Sequence, residues 1–298
     1  MIESATIDSI IPAAKVVRRA KRLGAEINNL KLSSDLPEEI IEAINQLLLE
    51  HRVLFFRNQD HLHSAEQEQI AARLGKLIPH PTVFEFDGAP SLLQSRSGQG
   101  DGRVDEPDRD FTFDRDYQRI SLMRDVPPNG GDIIWSNTAA AYLGLPLPLR
   151  RFADDLWVVH GKSDDVVSKT KAAEVERNTF AGPAYERKYP LVQVLPETGE
   201  RCLMLGKDVR QVVGLQRYTS QKLLGLFHSY VTAPKNVVQW NWRAGDLAVW
   251  DNRVTQHYPV NDQHPFLCRV TNDGDLPLSA NNHRSVKRGK QSSSANVA

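Results

Sequence analysis

The chain has 298 residues, of which 40% are hydrophobic and 25% charged, and this composition is typical of a globular protein with a substantial core. Lysine plus arginine and aspartate plus glutamate number 37 each, so the formal net charge is zero and the basic excess typical of nucleic-acid-binding proteins is absent. No apolar run approaches the length of a membrane-spanning helix, and the first residues lack the basic start and apolar core of a signal peptide, so we expect a cytoplasmic protein without a membrane partner.

The first predicted elements are a short strand at 23–27 and an amphipathic helix that begins near Pro37. Proline is favoured in the first turn of a helix, and the residues that follow it repeat apolar side chains at helical spacing. The predicted apolar face consists of Ile40, Ile41, Ile44, Leu47 and Leu48. The apolar and aromatic run at 52–56 then predicts a core strand.

A second helix is predicted from Ser64, because Ser64 and Gln67 have the spacing of a capping box, and Gly75 is expected to end it. The polar residues 98–110, rich in glycine and aspartate, predict a loop. The remaining predictions are strands at 120–123, 133–135, 191–195, 201–205, 237–242 and 247–250 and a helix at 220–231. Strands dominate the second half, which indicates a mainly β fold with flanking helices. We expect one domain over residues 1–280 and a disordered tail at 281–298, which is basic and then serine-rich.

Six short segments, rich in glycine, tryptophan, charged residues and histidine, occur in a definite order along the chain. They are His80-Pro81-Thr82-Val83, Gly130-Gly131-Asp132, Trp135 to Tyr142, Pro196-Glu197-Thr198-Gly199, Trp240 to Asp246, and Trp250 to His257. In this order they resemble the taurine-dioxygenase (TauD/TfdA-like) family of Fe(II)/2-oxoglutarate-dependent dioxygenases, and especially its alkyl-sulfatase branch. The resemblance extends from about Leu23 to about Pro277 and implies a double-stranded β-helix (jelly roll). It also implies an enzyme that oxidises a small anionic substrate, an alkyl sulfate or a sulfonate, with 2-oxoglutarate and O2.

The resemblance implies an Fe(II) site formed by a His-x-Asp pair on one loop and a distant histidine. The distant histidine is His257, at the end of the last segment. In the preferred register, Asp110 matches the aspartate of the pair and Asp108 stands at the position of its histidine. An alternative register without gaps assigns Glu106 and Asp108 instead. Either register places an acid where the family has histidine. In the preferred register the implied metal ligands are Asp108, Asp110 and His257.

The resemblance also assigns positions for the two organic ligands. For 2-oxoglutarate these are Ile133, where the family has a threonine, and Pro265, where it has an arginine that clamps the far carboxylate. For the substrate they are Phe111, His80 and Arg269. His80 and Arg269 match a histidine and an arginine that contact the sulfate or sulfonate, and such cations suit a tetrahedral anion.

Two alternatives to a 2-oxoglutarate-dependent oxygenase stay open at this point. One is a catalytically silent relative that binds an anionic ligand or a partner subunit, and the other is an oxygen enzyme that takes its electrons from another source. Asp108, Ile133 and Pro265 favour these alternatives, whereas the family resemblance favours the oxygenase. The sequence does not determine the oligomeric state, and a homo-oligomer is one of the possibilities.

Other conspicuous residues have structural explanations. Asp251 and Arg253 are expected to form a hydrogen-bond network near His257. Trp240 and Trp242 lie two residues apart on a predicted strand and therefore share a face, which predicts packing rather than ligand binding. The two cysteines, expected to be reduced thiols without a disulfide, are Cys202 and Cys268.

Overall fold

The computed structural model describes residues 10–12, 15–77, 93–95, 120–125, 132–161, 186–206, 209–259, 267–271 and 278–280. The helices in these ranges are α1 (Glu38–His51), α2 (Ser64–Leu74), α3 (Thr138–Gly144), α4 (Leu147–Asp154) and α5 (Arg217–Val231). The first strands are β1 (Val16–Arg18), β2 (Ala25–Ile27), β3 (Val53–Phe56), β4 (Leu93–Ser95), β5 (Ile120–Asp125), β6 (Asp132–Asn137), β7 (Trp157–Gly161) and β8 (Glu186–Pro190). They are followed by β9 (Val192–Val194), β10 (Arg201–Leu203), β11 (Val209–Val212), β12 (Val237–Asn241), β13 (Leu247–Asp251), β14 (Thr255–Pro259), β15 (Leu267–Thr271) and β16 (Leu278–Ser279). The predicted loop at 98–110 and the predicted tail at 281–298 lie outside the described residues.

Helices α1 and α2 form where the sequence predicts them. In α1, Ile40 is half-buried and the other four residues of the predicted apolar face are buried. The N-cap of α2 is His63 rather than Ser64, because the Glu66 carboxylate accepts a hydrogen bond from the His63 backbone N–H at 3.0 Å. Gly75 ends α2 as predicted. Both helices pack on the same face of the largest sheet.

The largest sheet has the strand order β1-β2-β3-β13-β5-β15-β4. Successive side chains along a strand point to opposite faces, and β3 and β13 are buried on both. Leu54 and Val249 belong to the core beneath α1 and α2, whereas Phe55 and Trp250 belong to a second core on the opposite face. The sheet is therefore covered by helices on one side and by a second β layer on the other.

The second β layer is the antiparallel sheet β12-β6-β14. Ile133 and Trp135 of β6 and Trp240 of β12 share one core with Phe55 and Trp250 of the large sheet. We call this aromatic core between the two sheets the barrel interior. The predicted strands that the two sheets confirm are 23–27, 52–56, 120–123, 133–135, 237–242 and 247–250.

Further strands and helices surround a third core. The predicted hairpin is confirmed as β9 and β10, which pair antiparallel with Val192 opposite Leu203. Helix α5 begins at Arg217 rather than near Ser220, and it ends at Val231 as predicted. It packs with α3, α4 and the sheet β11-β7-β8 around this core. Within the described ranges, no helix has the length and apolarity that crossing a membrane requires.

Candidate active site

His257 lies in the barrel interior. It is on β14, opposite Trp135 of β6, and its side chain is buried. Its ring meets the Trp250 ring edge-on, with centroids 5.0 Å apart, and faces the Trp135 ring at 6.4 Å with an interplanar angle of 29°. Trp250 comes from the large sheet and Trp135 from the small one. Aromatic rings from both layers therefore restrict the orientation of the imidazole.

Ile133 lies on the same face of the small sheet as His257. It is two residues along β6 from Trp135, opposite Trp240 on one side and Pro259 on the other. The Ile133 side chain is buried in the barrel interior and offers no hydrogen-bond donor. Its place near His257 agrees with the position that the resemblance assigns to a co-substrate contact, and its role there stays a prediction.

The other residues singled out by the sequence are only partly placed. Arg269 lies on β15 opposite Met123 of β5, and Met123 pairs on its other side with Ala248 of β13. The residues that fall outside the described ranges are His80, Glu106, Asp108, Asp110, Phe111 and Pro265. Their roles, and that of Arg269, stay predictions.

Arg253, four residues before His257, is the centre of the predicted hydrogen-bond network. Its Nε donates to Asp251 Oδ1 at 3.0 Å and its Nη2 to Asp251 Oδ2 at 2.7 Å, so the pair is bidentate. Its Nη1 donates to both carboxylate oxygens of Glu197, at 2.8 and 2.9 Å. Burial opposes the charge of Arg253, but the hydrogen bonds and charges of Asp251 and Glu197 outweigh burial and raise the pKa of the guanidinium. The predicted network is confirmed, and Glu197 extends it into the hairpin.

The same network fixes the β9–β10 hairpin beside the turn that precedes β14. The carbonyl oxygen of Arg253 accepts hydrogen bonds from the Gln193 amide of β9 and from the Cys202 thiol of β10, the latter at 3.4 Å. Cys202 is a free thiol, as predicted, and burial raises its pKa to about 12, which leaves it unreactive at neutral pH. Arg52 adds an ion pair to Glu200 at the end of the hairpin. Sequence reasoning missed Arg52, since its partner is 148 residues away and no local pattern marks it.

The indole groups of the barrel interior differ in their hydrogen bonding. Trp240 stacks on Phe55 with ring centroids 4.2 Å apart, and its Nε1 donates to Asp246 Oδ2 at 3.2 Å. The predicted packing role of Trp240 is therefore confirmed. Trp135 and Trp242 are buried as well, but among the described residues their Nε1 atoms have no hydrogen-bond partner.

These features fit the ligands that the resemblance implies, an iron(II) ion and 2-oxoglutarate. Imidazole is an ordinary iron ligand, and His257 presents it inside a protected core. The buried indole N–H groups of Trp135 and Trp242 have no acceptor in the part of the chain that the structure describes, and a carboxylate-bearing ligand supplies acceptors. Within the described ranges, no three His, Cys, Asp or Glu side chains come together as a metal site. His257 is thus the described member of the predicted set that includes Asp108 and Asp110.

Two curated relatives resemble the chain over most of its length. The chain is 43% identical over 282 residues to an alpha-ketoglutarate-dependent sulfate ester dioxygenase of Pseudomonas putida, which covers 91% of this chain and 93% of the relative. It is 40% identical over 269 residues to an alkylsulfatase of Acinetobacter baylyi, which covers 87% of this chain and 84% of the relative.

A solved structure and a family profile agree with these relatives. The crystal structure of a taurine dioxygenase from Burkholderia xenovorans matches with a TM-score of 0.76 at 30% identity, over 92% of this chain and 96% of that one. This likeness confirms the predicted jelly-roll fold. Residues 15–265 match the family described as taurine catabolism dioxygenase TauD, TfdA family. The motifs, the β layers around His257 and these matches together show that the chain belongs to the TauD/TfdA dioxygenase family.

Proposed function

We propose that this protein is an Fe(II)- and 2-oxoglutarate-dependent dioxygenase that cleaves alkyl sulfate esters. The observation that carries the proposal is the 43% and 40% identity, over about nine tenths of the chain, to one relative named for sulfate ester oxidation and another named alkylsulfatase. When bound, iron(II) supplies the oxidation of a substrate C–H bond by O2 at the expense of 2-oxoglutarate. The barrel interior around His257 is the part of the fold in which these ligands meet.

2-Oxoglutarate and O2 yield succinate and CO2, and the second oxygen atom enters the C–H bond next to the sulfate group. The new hydroxyl and the sulfate are then on the same carbon. The O–H electron pair forms a C=O bond as the bond from carbon to the sulfate oxygen breaks, so that an aldehyde, sulfate and a proton are released.

In this proposal Asp108, Asp110 and His257 hold the metal. Carboxylate and imidazole groups are both suitable ligands for divalent iron and manganese. Two carboxylates neutralise the +2 charge of the ion, so dianionic 2-oxoglutarate gains less attraction than it does from a metal held by one carboxylate. Neutral hydrogen-bond donors in the pocket therefore matter more here. His80 and Arg269 supply the positive charge for the sulfate group.

The described residues prepare His257 for this role in two ways. Trp135 and Trp250 contact its ring from the two sheets and limit its rotation. Arg253 ties the turn before β14 to Asp251 and to the neighbouring hairpin, so the backbone that carries His257 is fixed independently of the metal. A ligand that is oriented in advance binds its metal with less loss of conformational freedom.

A metal titration tests the ligand assignment. Adding manganese(II) to the metal-free protein is expected to show one site by electron paramagnetic resonance, and His257→Ala is expected to remove it. His61→Ala is the matched control, because the His61 imidazole is hydrogen-bonded to the Leu32 carbonyl at 2.8 Å instead. If the wild type and His257→Ala titrate alike, the assignment of His257 is wrong.

A comparison of substrates tests the reaction. The protein is incubated with iron(II), 2-oxoglutarate and O2 and with either a linear alkyl sulfate or the alkanesulfonate of the same chain length. Sulfate and aldehyde release from the alkyl sulfate is expected to exceed sulfite release from the sulfonate. The reverse preference would contradict the proposed substrate class. A protein that consumes no 2-oxoglutarate with either compound would instead be the silent relative considered above.

A further inference from the structure

Two hydrogen-bond donors in the barrel interior have no acceptor among the described residues. They are the indole Nε1 atoms of Trp135 and Trp242, and both atoms are inaccessible to solvent. The Trp135 side chain is 0% exposed and that of Trp242 is 6% exposed. A buried donor without an acceptor lowers the stability of a folded protein, so nearly all such groups in native proteins are satisfied by protein, water or a ligand. Two in one core indicate a site for an acceptor-bearing molecule.

The ladder register fixes where these donors lie relative to His257. His257 is opposite Trp135, and the next inward position of β6 is Ile133, which is opposite Trp240. Trp240 is opposite Ile133 and Asn241 is opposite Asp132, so Trp242 lies two residues beyond the level of Ile133. This is the side away from His257.

The Trp135 and Trp242 rings lie close together although the two residues are far apart along the strands. Four residues separate the level of Trp135 from that of Trp242, which is roughly 13 Å along a strand. The ring centroids are nevertheless only 6.4 Å apart. The two side chains therefore lean toward each other. The inward position of β6 between their levels is Ile133, where the sequence lacks the expected hydroxyl.

We infer that the Trp242 indole N–H, with that of Trp135 beside it, binds the far carboxylate of 2-oxoglutarate. The inference rests on the proposed function and adds a co-substrate residue to it. Inward-facing residues of a strand follow one another at roughly 7 Å, and a five-carbon diacid has about this length. If it binds a metal at His257, its far carboxylate therefore lies at the level of Ile133. An N–H group that donates to a carboxylate forms a charge-assisted hydrogen bond. It partly replaces the threonine and the arginine that positions 133 and 265 lack.

Trp240, on β12 two residues before Trp242, provides a matched control. Its Nε1 already donates to Asp246 Oδ2 at 3.2 Å, and its ring is packed on Phe55 and under the Arg57 guanidinium at 3.8 Å. Trp240→Phe removes an N–H that has a partner, whereas Trp242→Phe removes one that has none among the described residues. The two variants lose the same chemical group and differ in the partner of that group.

Calorimetry with zinc(II), which does not react with O2, measures 2-oxoglutarate affinity in each variant. Trp242→Phe is expected to weaken binding about 10- to 100-fold, the usual effect of losing a hydrogen bond to a charged group, while Trp240→Phe changes it less than about threefold. The melting temperatures of the ligand-free proteins are expected to show the opposite pattern. Trp240→Phe is expected to lower the melting temperature, whereas Trp242→Phe is expected to leave it unchanged or to raise it. Unchanged affinity in Trp242→Phe, or a ligand-free melting temperature as low as that of Trp240→Phe, overturns the inference.

A measurement without mutation covers the case in which a variant does not fold. The chain has five tryptophans, so wild-type protein labelled with 15N-tryptophan gives five indole N–H signals. Adding 2-oxoglutarate to the zinc-loaded protein is expected to shift two of these signals downfield. If 2-oxoglutarate binds and all five signals stay in place, the inference fails while the proposed function stands. If the wild type does not bind 2-oxoglutarate at all, both fail.

Discussion

Replacing Arg253 by alanine is expected to lower the free energy of unfolding by about 3–5 kcal/mol, the usual cost of removing one partner of a buried ion pair. The Asp251 side chain is only 2% exposed, and the substitution leaves its carboxylate with the backbone N–H of residue 253 but without a cation. The bonds to Glu197 contribute less, because that side chain is 30% exposed and water screens it. Glu197→Gln is therefore the matched control, with an expected cost below about 1 kcal/mol.

The assay for this prediction is urea unfolding of the metal-free proteins, followed by far-ultraviolet circular dichroism. The midpoint is expected to fall for Arg253→Ala at an unchanged slope, which indicates a change in stability rather than in the unfolded state. The same variant is expected to bind manganese(II) more weakly, because the loosened turn lies four residues before His257. A loss of less than about 0.5 kcal/mol, the ordinary effect of a surface substitution, would refute the reasoning.

Three further predictions use the same preparation. Burial is the main cause that lowers the pKa of His51, so the unfolded chain takes up a proton more readily and stability is expected to fall as the pH drops below about 6.5. His51→Gln is expected to flatten that part of the profile of urea midpoint against pH. An unchanged profile in this variant would count against the role of His51. Gly245→Ala is expected to cost about 1 kcal/mol more than Gly214→Ala. Both glycines have positive φ, +77° and +81°, but only at Gly245 does an added Cβ collide with the Asp60 carboxylate, so equal costs would contradict the structure. The Cys202 thiol is expected to resist iodoacetamide at about pH 8 in the folded protein and to react in urea, as read by peptide mass spectrometry; alkylation of the folded protein would show that it is accessible.

Half of the strands in the described ranges, together with helices α1, α2 and α5, were predicted, because their patterns are local. The strand at 52–56 and the hairpin at 191–205 combine apolar runs with clear turn residues, and both are present. Strands β8 and β11 are among the strands that were not predicted. They lie at the two edges of the sheet β11-β7-β8, and edge strands carry charged residues, as Lys188 and Arg210 illustrate, which interrupt the apolar pattern.

The site could be predicted only where a single segment carries it. The segment that ends in His257 contains both the predicted metal ligand and the Asp251–Arg253 pair, since all three residues lie within seven positions. The partners of Arg52 and Arg253 in the hairpin are distant in sequence and follow from tertiary packing alone. The unpaired donors of Trp135 and Trp242 could not be found from sequence either, because the lack of an acceptor among the described residues is a property of the folded core.

The most direct test of the central claim is the amount of succinate and sulfate formed in one reaction with an alkyl sulfate, iron(II), 2-oxoglutarate and O2. The wild type is expected to form the two products in equal amounts, because each C–H oxidation consumes one 2-oxoglutarate and releases one sulfate. His257→Ala is expected to form neither, while His61→Ala matches the wild type. Sulfate release without succinate would contradict the account, and so would product formation by His257→Ala at the level of the wild type.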